Sequence, residues 1–135
     1  MNDVFSSQDR SRVMRAVKSK NTTPEMRVRR ALHARGLRFR LHRKDLPGAP
    51  DIVLAKWRIC LFVNGCFWHG HDCARGSRTP KTNTDYWVAK INRNIARDKR
   101  NTDTLKHAGW RVEVIWECET KPDNALENAI SRIFP

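Results

Sequence analysis

The chain has 135 residues, of which 39% are hydrophobic and 30% charged, and its net charge is +13. This length predicts about one ordinary domain, and no segment approaches the roughly 18 apolar residues of a membrane span, so a membrane protein is not expected. The first ten residues, MNDVFSSQDR, lack the apolar segment of a signal peptide, which favours a cytoplasmic or nucleoid location.

The positive charge is concentrated in two segments. Residues 1–44 carry 13 Lys and Arg against 3 Asp and Glu, and residues 75–100 carry 8 against 2, whereas the rest of the chain is nearly neutral. Such a field attracts a polyanion, and nucleic acid is the commonest one. A basic surface that only confers solubility is the alternative, but segmental clustering favours nucleic-acid binding.

Two helices are predicted before the first strand. Residues 7–20 form a basic amphipathic pattern. A second helix begins at Thr22 or Thr23, carries Pro24 in its first turn and ends before Gly36. The basic residues at the start of the chain form an N-terminal arm, residues 1–22, of one domain that spans residues 1–135.

Four strands and two further helices are predicted after these. The strands are LRFRLHR, DIVLAKW, RICLFVN and WRVEVIWE, and the turn-rich segment KDLPGAPD separates the first two. The helices cover residues 84–107 and 121–134. The order ααβββαβα indicates an α/β fold, with a mixed sheet that has helices on both faces.

The segment NGCFWHGHDC, residues 64–73, combines metal-binding and aromatic side chains in a turn-rich stretch. Three of them have the spacing C-x4-H-x-C: Cys66, His71 and Cys73. Thiolates with an imidazole in a cytoplasmic chain indicate zinc, and a closed structural site needs a fourth ligand. We assign Cys118, because Cys60 lies inside an apolar run. His69 is a competing ligand, and a chance grouping is the alternative to a metal site.

A closed zinc site leaves His69 free to act as a general base, because imidazole titrates near neutral pH. Cleavage of a phosphodiester also needs a hard cation held by carboxylate oxygen. Asp51 is the best-placed candidate, since it opens a strand whose partner runs directly into the segment that contains His69. A turn role after Pro50 is the alternative for Asp51.

Two further acids lie on helix faces that are otherwise apolar. Asp98 can accept a hydrogen bond from His69 and orient it, or it can pair with Arg97 at the surface. Glu25 is turned inward by its position in the helix, but its place three residues after Thr22 is equally explained by a capping box.

Large aromatic residues flank the candidate base. Phe67 and Trp68 are adjacent in a loop, and Trp87 begins the long helix. Such side chains can stack on bases or enter an opened base step, although composition favours core packing for any one of them. Met14, among the basic residues of the first predicted helix, can likewise contact nucleic acid or pack.

Five segments carry a resemblance to a known family: GCFWHGHDC, LPGAPDIV, RSRVMRAVKSKNTTPE, YWVAKINRNIARD and GWRVEVIWEC. From about Arg10 to Cys118 they resemble, in order and at matching spacing, the very short patch repair endonucleases. These bacterial enzymes have the restriction-endonuclease-like fold. They use magnesium to nick DNA on the 5′ side of the thymine in T·G mismatches that arise when 5-methylcytosine deaminates.

The resemblance also implies partners and residue roles. Double-stranded DNA with a T·G mismatch is the substrate of a monomer, with mismatch-repair proteins and a DNA polymerase as partners. Asp51 and the backbone carbonyl of Val63 bind magnesium, and His69 activates the attacking water beside Asp98, with Glu25 in the same site. The structural zinc ligands are Cys66, His71, Cys73 and Cys118. The DNA-contacting residues are Met14, Phe67, Trp68, Trp87, Lys90 and Asn94.

Asn64 departs from the family pattern, which often has a histidine near the water of the metal site. An amide can hydrogen-bond that water but cannot titrate, so the reaction rate is the property most affected. Three rival functions stay open from the sequence. One is a restriction or homing-type nuclease of the same fold, and another is a catalytically weak, zinc-dependent DNA-binding protein. The third, a basic assembly protein without an active site, leaves the arrangement of Asp51 and His69 unexplained.

Overall fold

The structure, a computed structural model, describes residues 21–73, 76–77 and 80–134. The predicted helix at residues 7–20, and Met14 within it, lie outside the described residues. In the described part, the elements are α1 (Thr23–Ala34), β1 (Arg40–Leu41), β2 (Ile52–Leu54), β3 (Ile59–Asn64), α2 (Thr84–His107), β4 (Arg111–Trp116) and α3 (Asp123–Ile133). Their order agrees with the predicted one.

Helix α1 begins and ends where the sequence predicts. Thr22 is its N-cap, with Oγ1 accepting the Glu25 backbone N–H at 3.3 Å, and Pro24 lies in the first turn. Gly36, with φ +75°, follows its end. The Glu25 carboxylate is buried and accepts the Asn21 backbone N–H at 3.2 Å, one residue before the N–H that a capping box uses. The structure therefore shows the inward-facing interpretation and only the Thr22 half of the predicted capping box.

The four strands form one mixed sheet in the order β1-β2-β3-β4. Strand β2 is antiparallel to both of its neighbours, β1 and β3. Strands β3 and β4 are parallel, and α2 makes the crossover between them. In this register Val63 lies beside Ile115, and Asn64 beside Trp116. A mixed sheet flanked by helices confirms the predicted α/β class.

Two strands are shorter than predicted. The predicted strand DIVLAKW ends at Leu54, because residues Ala55–Trp57 form a 3-10 turn that Arg58 closes in the left-handed conformation, φ 54°. This turn lets the chain reverse at once into β3. The predicted strand LRFRLHR pairs with β2 only at Arg40–Leu41, since His42 has φ 48° and leaves the extended conformation.

The two faces of the sheet are covered by different helices. Alternate strand residues on one face pack against α1 and α3. This core contains Val28, Leu32, Ile52, Leu54, Ile59, Leu61, Ile115, Ala129, Ile130 and Ile133. The opposite face is crossed by α2, which contacts β4 and buries Trp87 and Leu105. Because successive side chains of a strand point to opposite faces, the residues that pack on α1 and α3 leave the other face of the sheet for α2.

The far end of α2 is anchored by Arg58. Its Nη2 donates to the Ala108 carbonyl at 3.2 Å, and its guanidinium lies 4.5 Å from the centre of the Trp110 ring. The contact fixes the axis of α2 across the sheet. Among the described residues, α2 is the longest helix, and none of the helices there is apolar over a length that would cross a membrane.

We expect Leu61→Ala to lower the free energy of unfolding by about 2–5 kcal/mol, because it leaves a cavity in the core. Leu61 is 0% exposed. Leu41→Ala is the matched control, since it removes the same atoms from a strand residue that is 39% exposed, and it should cost less than about 1 kcal/mol. Denaturant titrations at equal slope measure both values, and equal losses would contradict this description of the core.

Candidate active site and metal-binding clusters

The loop after β3 gathers four candidate metal ligands with the end of β4. Their ligand atoms all lie within 4.8 Å of one another: Cys66, His71, Cys73 and Cys118. Cys118 Sγ lies 3.6 Å from His71 Nδ1, and the Cys118 backbone N–H donates to Cys66 Sγ at 3.4 Å. Tetrahedral zinc with Zn–S near 2.3 Å places neighbouring ligand atoms about 3.7 Å apart. Three thiols and one imidazole at these distances fit such an ion.

Contacts around the cluster hold the loop tightly. The His71 ring stacks on Trp116 at 4.1 Å, and the His71 backbone N–H donates to the Cys66 carbonyl at 3.0 Å. Gly76 donates its backbone N–H to Cys73 Sγ at 3.4 Å. A side chain at Gly76 would place its Cβ 2.0 Å from the His71 carbonyl oxygen, so only glycine allows this approach.

The Cys66 and Cys118 thiols favour their protonated forms unless a cation binds them. Burial raises the pKa of both groups above the ordinary thiol value. The Cys118 backbone N–H opposes the shift of Cys66, whereas the Cys66 and Cys73 thiols add to the shift of Cys118. A bound dication stabilises the thiolates and so lowers the pKa of each thiol that binds it. Metal binding at this cluster would therefore release protons.

His69 does not join the cysteine cluster but faces α2. Its Nδ1 lies 2.6 Å from Asp98 Oδ2, which is a short hydrogen bond between two partly buried groups. Arg97 is a more distant neighbour of the same carboxylate, at 3.9 Å. With Nδ1 engaged, Nε2 is the ring nitrogen of His69 that is open to a ligand.

Asp51 lies directly before β2 and is held by the neighbouring strands. Its Oδ2 accepts the Val63 backbone N–H at 2.8 Å, and its carbonyl accepts the His42 backbone N–H at 3.0 Å. Burial raises the pKa of Asp51, and the nearby Glu25 carboxylate adds to the shift. The Val63 N–H, His42 and His69 oppose it, and the resulting pKa is about 6. A cation beside this carboxylate would favour its charged form.

Sequence reasoning missed His42, which lies beside Glu25 and Asp51. Glu25 Oε2 accepts a hydrogen bond from Arg29 and lies 2.8 Å from His42 Nε2. Glu25, His42 and Asp51 each offer one ligand atom, and these atoms lie within 4.8 Å of one another. The available signal was strand pairing, because one more antiparallel pair after Leu41 places His42 opposite Asp51.

The candidate catalytic residues meet in one cavity of about 690 Å³, which also holds the carboxyl end of β3. The predicted members that line it are Glu25, Asp51, Val63, Asn64, His69 and Asp98. Asn64 is nearly buried at the end of β3. Lys44 and Arg97 add two cations to the rim, so the cavity suits a phosphate group next to buried carboxylates.

The aromatic residues form one cluster beside this cavity. The Phe67 ring centre lies 5.1 Å from that of Trp68 and 5.7 Å from that of Trp87. Trp87 is 3% exposed and packs as a core residue, whereas Phe67 and Trp68 are partly exposed and line the cavity. The Asn94 side chain donates to the Trp68 carbonyl at 2.8 Å, and the partly exposed Lys90 lies one turn earlier on α2.

Comparison with known proteins identifies the relatives of the chain. Residues 2–75 match the family model described as DNA mismatch endonuclease Vsr. The chain is 53% identical over 134 residues to the Type II nicking enzyme V.XorIIP of Xanthomonas oryzae pv. oryzae, covering 99% of this chain and 98% of that protein. It is 43% identical over 133 residues to the Type II nicking enzyme V.NmeAIP of Neisseria meningitidis serogroup A, covering 98% and 94%.

A third relative carries the family name itself. The chain is 42% identical over 118 residues to the DNA mismatch endonuclease Vsr of Escherichia coli, covering 87% of this chain and 75% of that protein. The family match and these identities confirm the predicted enzyme class, a DNA endonuclease that hydrolyses phosphodiester bonds in DNA mismatch repair. The chain therefore belongs to the Vsr family of DNA mismatch endonucleases, as the resemblance to very short patch repair endonucleases predicted.

Proposed function

We propose that this endonuclease nicks double-stranded DNA at T·G mismatches that arise from deaminated 5-methylcytosine. The cut lies on the 5′ side of the mismatched thymine and depends on magnesium. The observation that carries the proposal is the presence of the His69–Asp98 pair and the partly buried Asp51 carboxylate in one cavity. The 42% identity to the DNA mismatch endonuclease Vsr of Escherichia coli supports a mismatch as the target.

His69 is the general base of the proposed reaction. Asp98 accepts a hydrogen bond from the Nδ1–H of His69. This bond favours the tautomer of His69 that carries its lone pair on Nε2. That nitrogen takes the proton of the water whose oxygen bonds to phosphorus. The P–O bond to the leaving deoxyribose oxygen breaks, and that oxygen takes a proton from solvent. A positioned base of this kind accelerates hydrolysis by about 10²–10⁴-fold.

Asp51 supplies a hard oxygen ligand for magnesium, together with the backbone carbonyl of Val63. The peptide of Val63 lies against the carboxylate, and oxygen donors are the ones that Mg²⁺ prefers. When bound, the ion offsets the negative charge that develops on the phosphate. Glu25 supports the same centre, and Asn64 hydrogen-bonds water there without titrating.

The aromatic cluster provides the proposed selectivity. Phe67 and Trp68 enter the stack beside the mismatch, and Trp87 supports them from below. A T·G pair costs less to unstack than a matched pair, so insertion favours the mismatch. Lys90 and Asn94 face the same part of the DNA, and Met14 on the N-terminal arm reaches the other groove.

Zinc is the proposed occupant of the cysteine cluster. It braces the loop that carries His69 and the aromatic pair, and it takes no part in the chemistry. The ligands are Cys66, His71, Cys73 and Cys118. Their soft donor set fits zinc, whereas the oxygen donors around Asp51 fit magnesium.

We propose the following organisation around this site. The chain is a single nuclease domain of restriction-endonuclease-like fold, with residues 1–22 as a DNA-contacting arm. It acts as a monomer in the bacterial cytoplasm, near the nucleoid. Mismatch-repair proteins and a DNA polymerase are its proposed partners. A sequence-specific nuclease of the same fold is the second candidate, favoured by the name Type II nicking enzyme of two relatives.

Asp51→Ala should slow nicking of a T·G duplex in magnesium by about 10³-fold, because the charge on the transition state loses its bound cation. His69→Gln should slow it by about 10²–10⁴-fold. Asp103→Asn is the matched control, since Asp103 is an exposed acid on α2 outside the cavity, and it should nick at the parental rate. Parental nicking by Asp51→Ala would refute the metal assignment.

The same assay with fully paired and differently mismatched duplexes tests the substrate. We expect the parent to nick T·G far faster than paired DNA, because an easily opened step lowers the cost of inserting Phe67 and Trp68. Equal cleavage of paired DNA at a fixed sequence would instead support the second candidate, and binding without nicking would support a DNA-binding protein.

Cys118→Ala should lower both the zinc content and the melting temperature, because three ligands hold the metal, and hence the loop, less tightly than four. Cys60→Ala is the matched control for zinc content. Cys60 is a buried free thiol that lies outside the four-ligand cluster. Elemental analysis should give about one zinc per chain for the parent and for Cys60→Ala. Full zinc content in a stable Cys118→Ala protein would contradict the assigned ligand set.

Asp51→Asn should stabilise the magnesium-free protein more at pH 8 than at pH 5. The folded pKa of about 6 lies above the unfolded value of 3.8, so the buried carboxyl favours folding at low pH and this contribution is lost as the pH rises through 6. We expect a gain of about 3 kcal/mol at pH 8 and about half of that at pH 5. Denaturant titration measures the gain, with Asp103→Asn as the exposed control, and a gain that does not grow with pH would contradict it.

A further inference from the structure

We infer that His42 is a third protein ligand, with Glu25 and Asp51, for the divalent cation of the active site. We further infer that this mixed set binds Mn²⁺ more tightly than Mg²⁺. The inference rests on the proposed function, because it requires a cation at Asp51. It adds a nitrogen ligand and a metal preference that the oxygen donors alone do not supply.

The three side chains already converge. Their ligand atoms lie within 4.8 Å of one another, and His42 Nε2 lies 2.8 Å from Glu25 Oε2. The side chain of Glu25 is 2% exposed and that of His42 is 18% exposed. Ligand atoms of one small cation lie about 3 Å apart in octahedral geometry at 2.1 Å, so the side chains need to move little. Binding the cation displaces the Nε2 proton that Glu25 accepts, and His42 then ligates as the neutral imidazole with its proton on Nδ1.

The backbone places His42 there by leaving the strand. His42 has φ 48°, a left-handed conformation that residues other than glycine adopt only at an energetic cost. Its N–H still donates to the backbone carbonyl of Asp51, so the strained residue is held beside the residue whose carboxylate the reaction needs. Strain of this kind persists where the surrounding structure or a function requires it.

Arg29 sets the charge of the cluster. Its guanidinium contacts Glu25 Oε2 and lies 3.4 Å from His42 Nε2. It offsets the buried Glu25 carboxylate, which otherwise repels the partly buried carboxylate of Asp51. Arg29 therefore stabilises the cluster and competes with a cation for Glu25, so the site binds metal more weakly than two carboxylates and an imidazole would alone.

The donor set predicts the metal preference. Mg²⁺ prefers oxygen ligands and gives up its waters reluctantly, whereas imidazole nitrogen is a good ligand for divalent transition metals. Replacing one oxygen donor by His42 thus gains more for Mn²⁺ than for Mg²⁺. Val63 and DNA phosphate complete the coordination with oxygen, which both ions accept.

Manganese alone, added to the zinc-loaded full-length protein, tests the inference directly. Electron paramagnetic resonance measures free Mn²⁺ and hence affinity, and electron spin-echo modulation detects an imidazole nitrogen bonded to it. We expect nitrogen modulation in the parent and its loss in His42→Gln, with Mn²⁺ affinity lower by about tenfold or more. Mg²⁺ affinity, measured by competition, should fall by a smaller factor.

His107→Gln is the matched control, because His107 is an exposed histidine at the end of α2, and it should bind Mn²⁺ as the parent does. Folded His42→Gln that keeps nitrogen modulation and parental affinity would overturn the inference. If His42→Gln does not fold, His42→Glu restores a ligand. It should bind Mn²⁺ without nitrogen modulation and with a narrower preference over Mg²⁺, and an unchanged preference would overturn the inference.

Asp51→Asn in the same titration separates this inference from the proposed function. Loss of Mn²⁺ binding in Asp51→Asn, with parental binding in His42→Gln, means that only the role of His42 is wrong. Parental binding in both variants means that the metal centre of the proposed function is wrong as well. Loss in both variants supports both proposals.

Discussion

The parallel pairing of β3 with β4 determines where the chemistry of this protein can lie. Asn64 pairs with Trp116, so the residues two positions further along each strand meet at the same edge of the sheet. Those residues are Cys66 and Cys118, whose sulfur and backbone nitrogen lie 3.4 Å apart. The register of one strand pair therefore closes the cysteine cluster and aims the following loop at α2.

That loop carries side chains for three purposes within a few residues. Cys66 and His71 face the metal-binding cluster, Phe67 and Trp68 face the cavity, and His69 reaches Asp98 on α2. A loop this short can keep its side chains oriented toward the cluster, the cavity and α2 only if its backbone is fixed at both ends. The cysteine cluster fixes one end, β3 fixes the other, and preorganisation of this kind limits the reorganisation that catalysis requires.

The sequence predicted the parts of the fold that depend on local chemistry. The cap at Thr22, the turn signal at Gly36 and the apolar runs of β2 and β3 are local patterns, and each led to an observed element. The family motifs supplied the candidate site. His42 was missed because its role depends on antiparallel pairing opposite Asp51 and on a left-handed backbone, neither of which a histidine after an alternating strand reveals.

The close packing of Gly76 limits how this loop can change over evolution. Any side chain there collides with the peptide of His71, although Gly76 neither lines the cavity nor belongs to the four-ligand cluster. A position without a chemical role thus becomes as intolerant to substitution as a catalytic one. Genetic screens for loss of function would therefore recover substitutions of Gly76 together with those of His69 and Asp51, although the cause at Gly76 is steric.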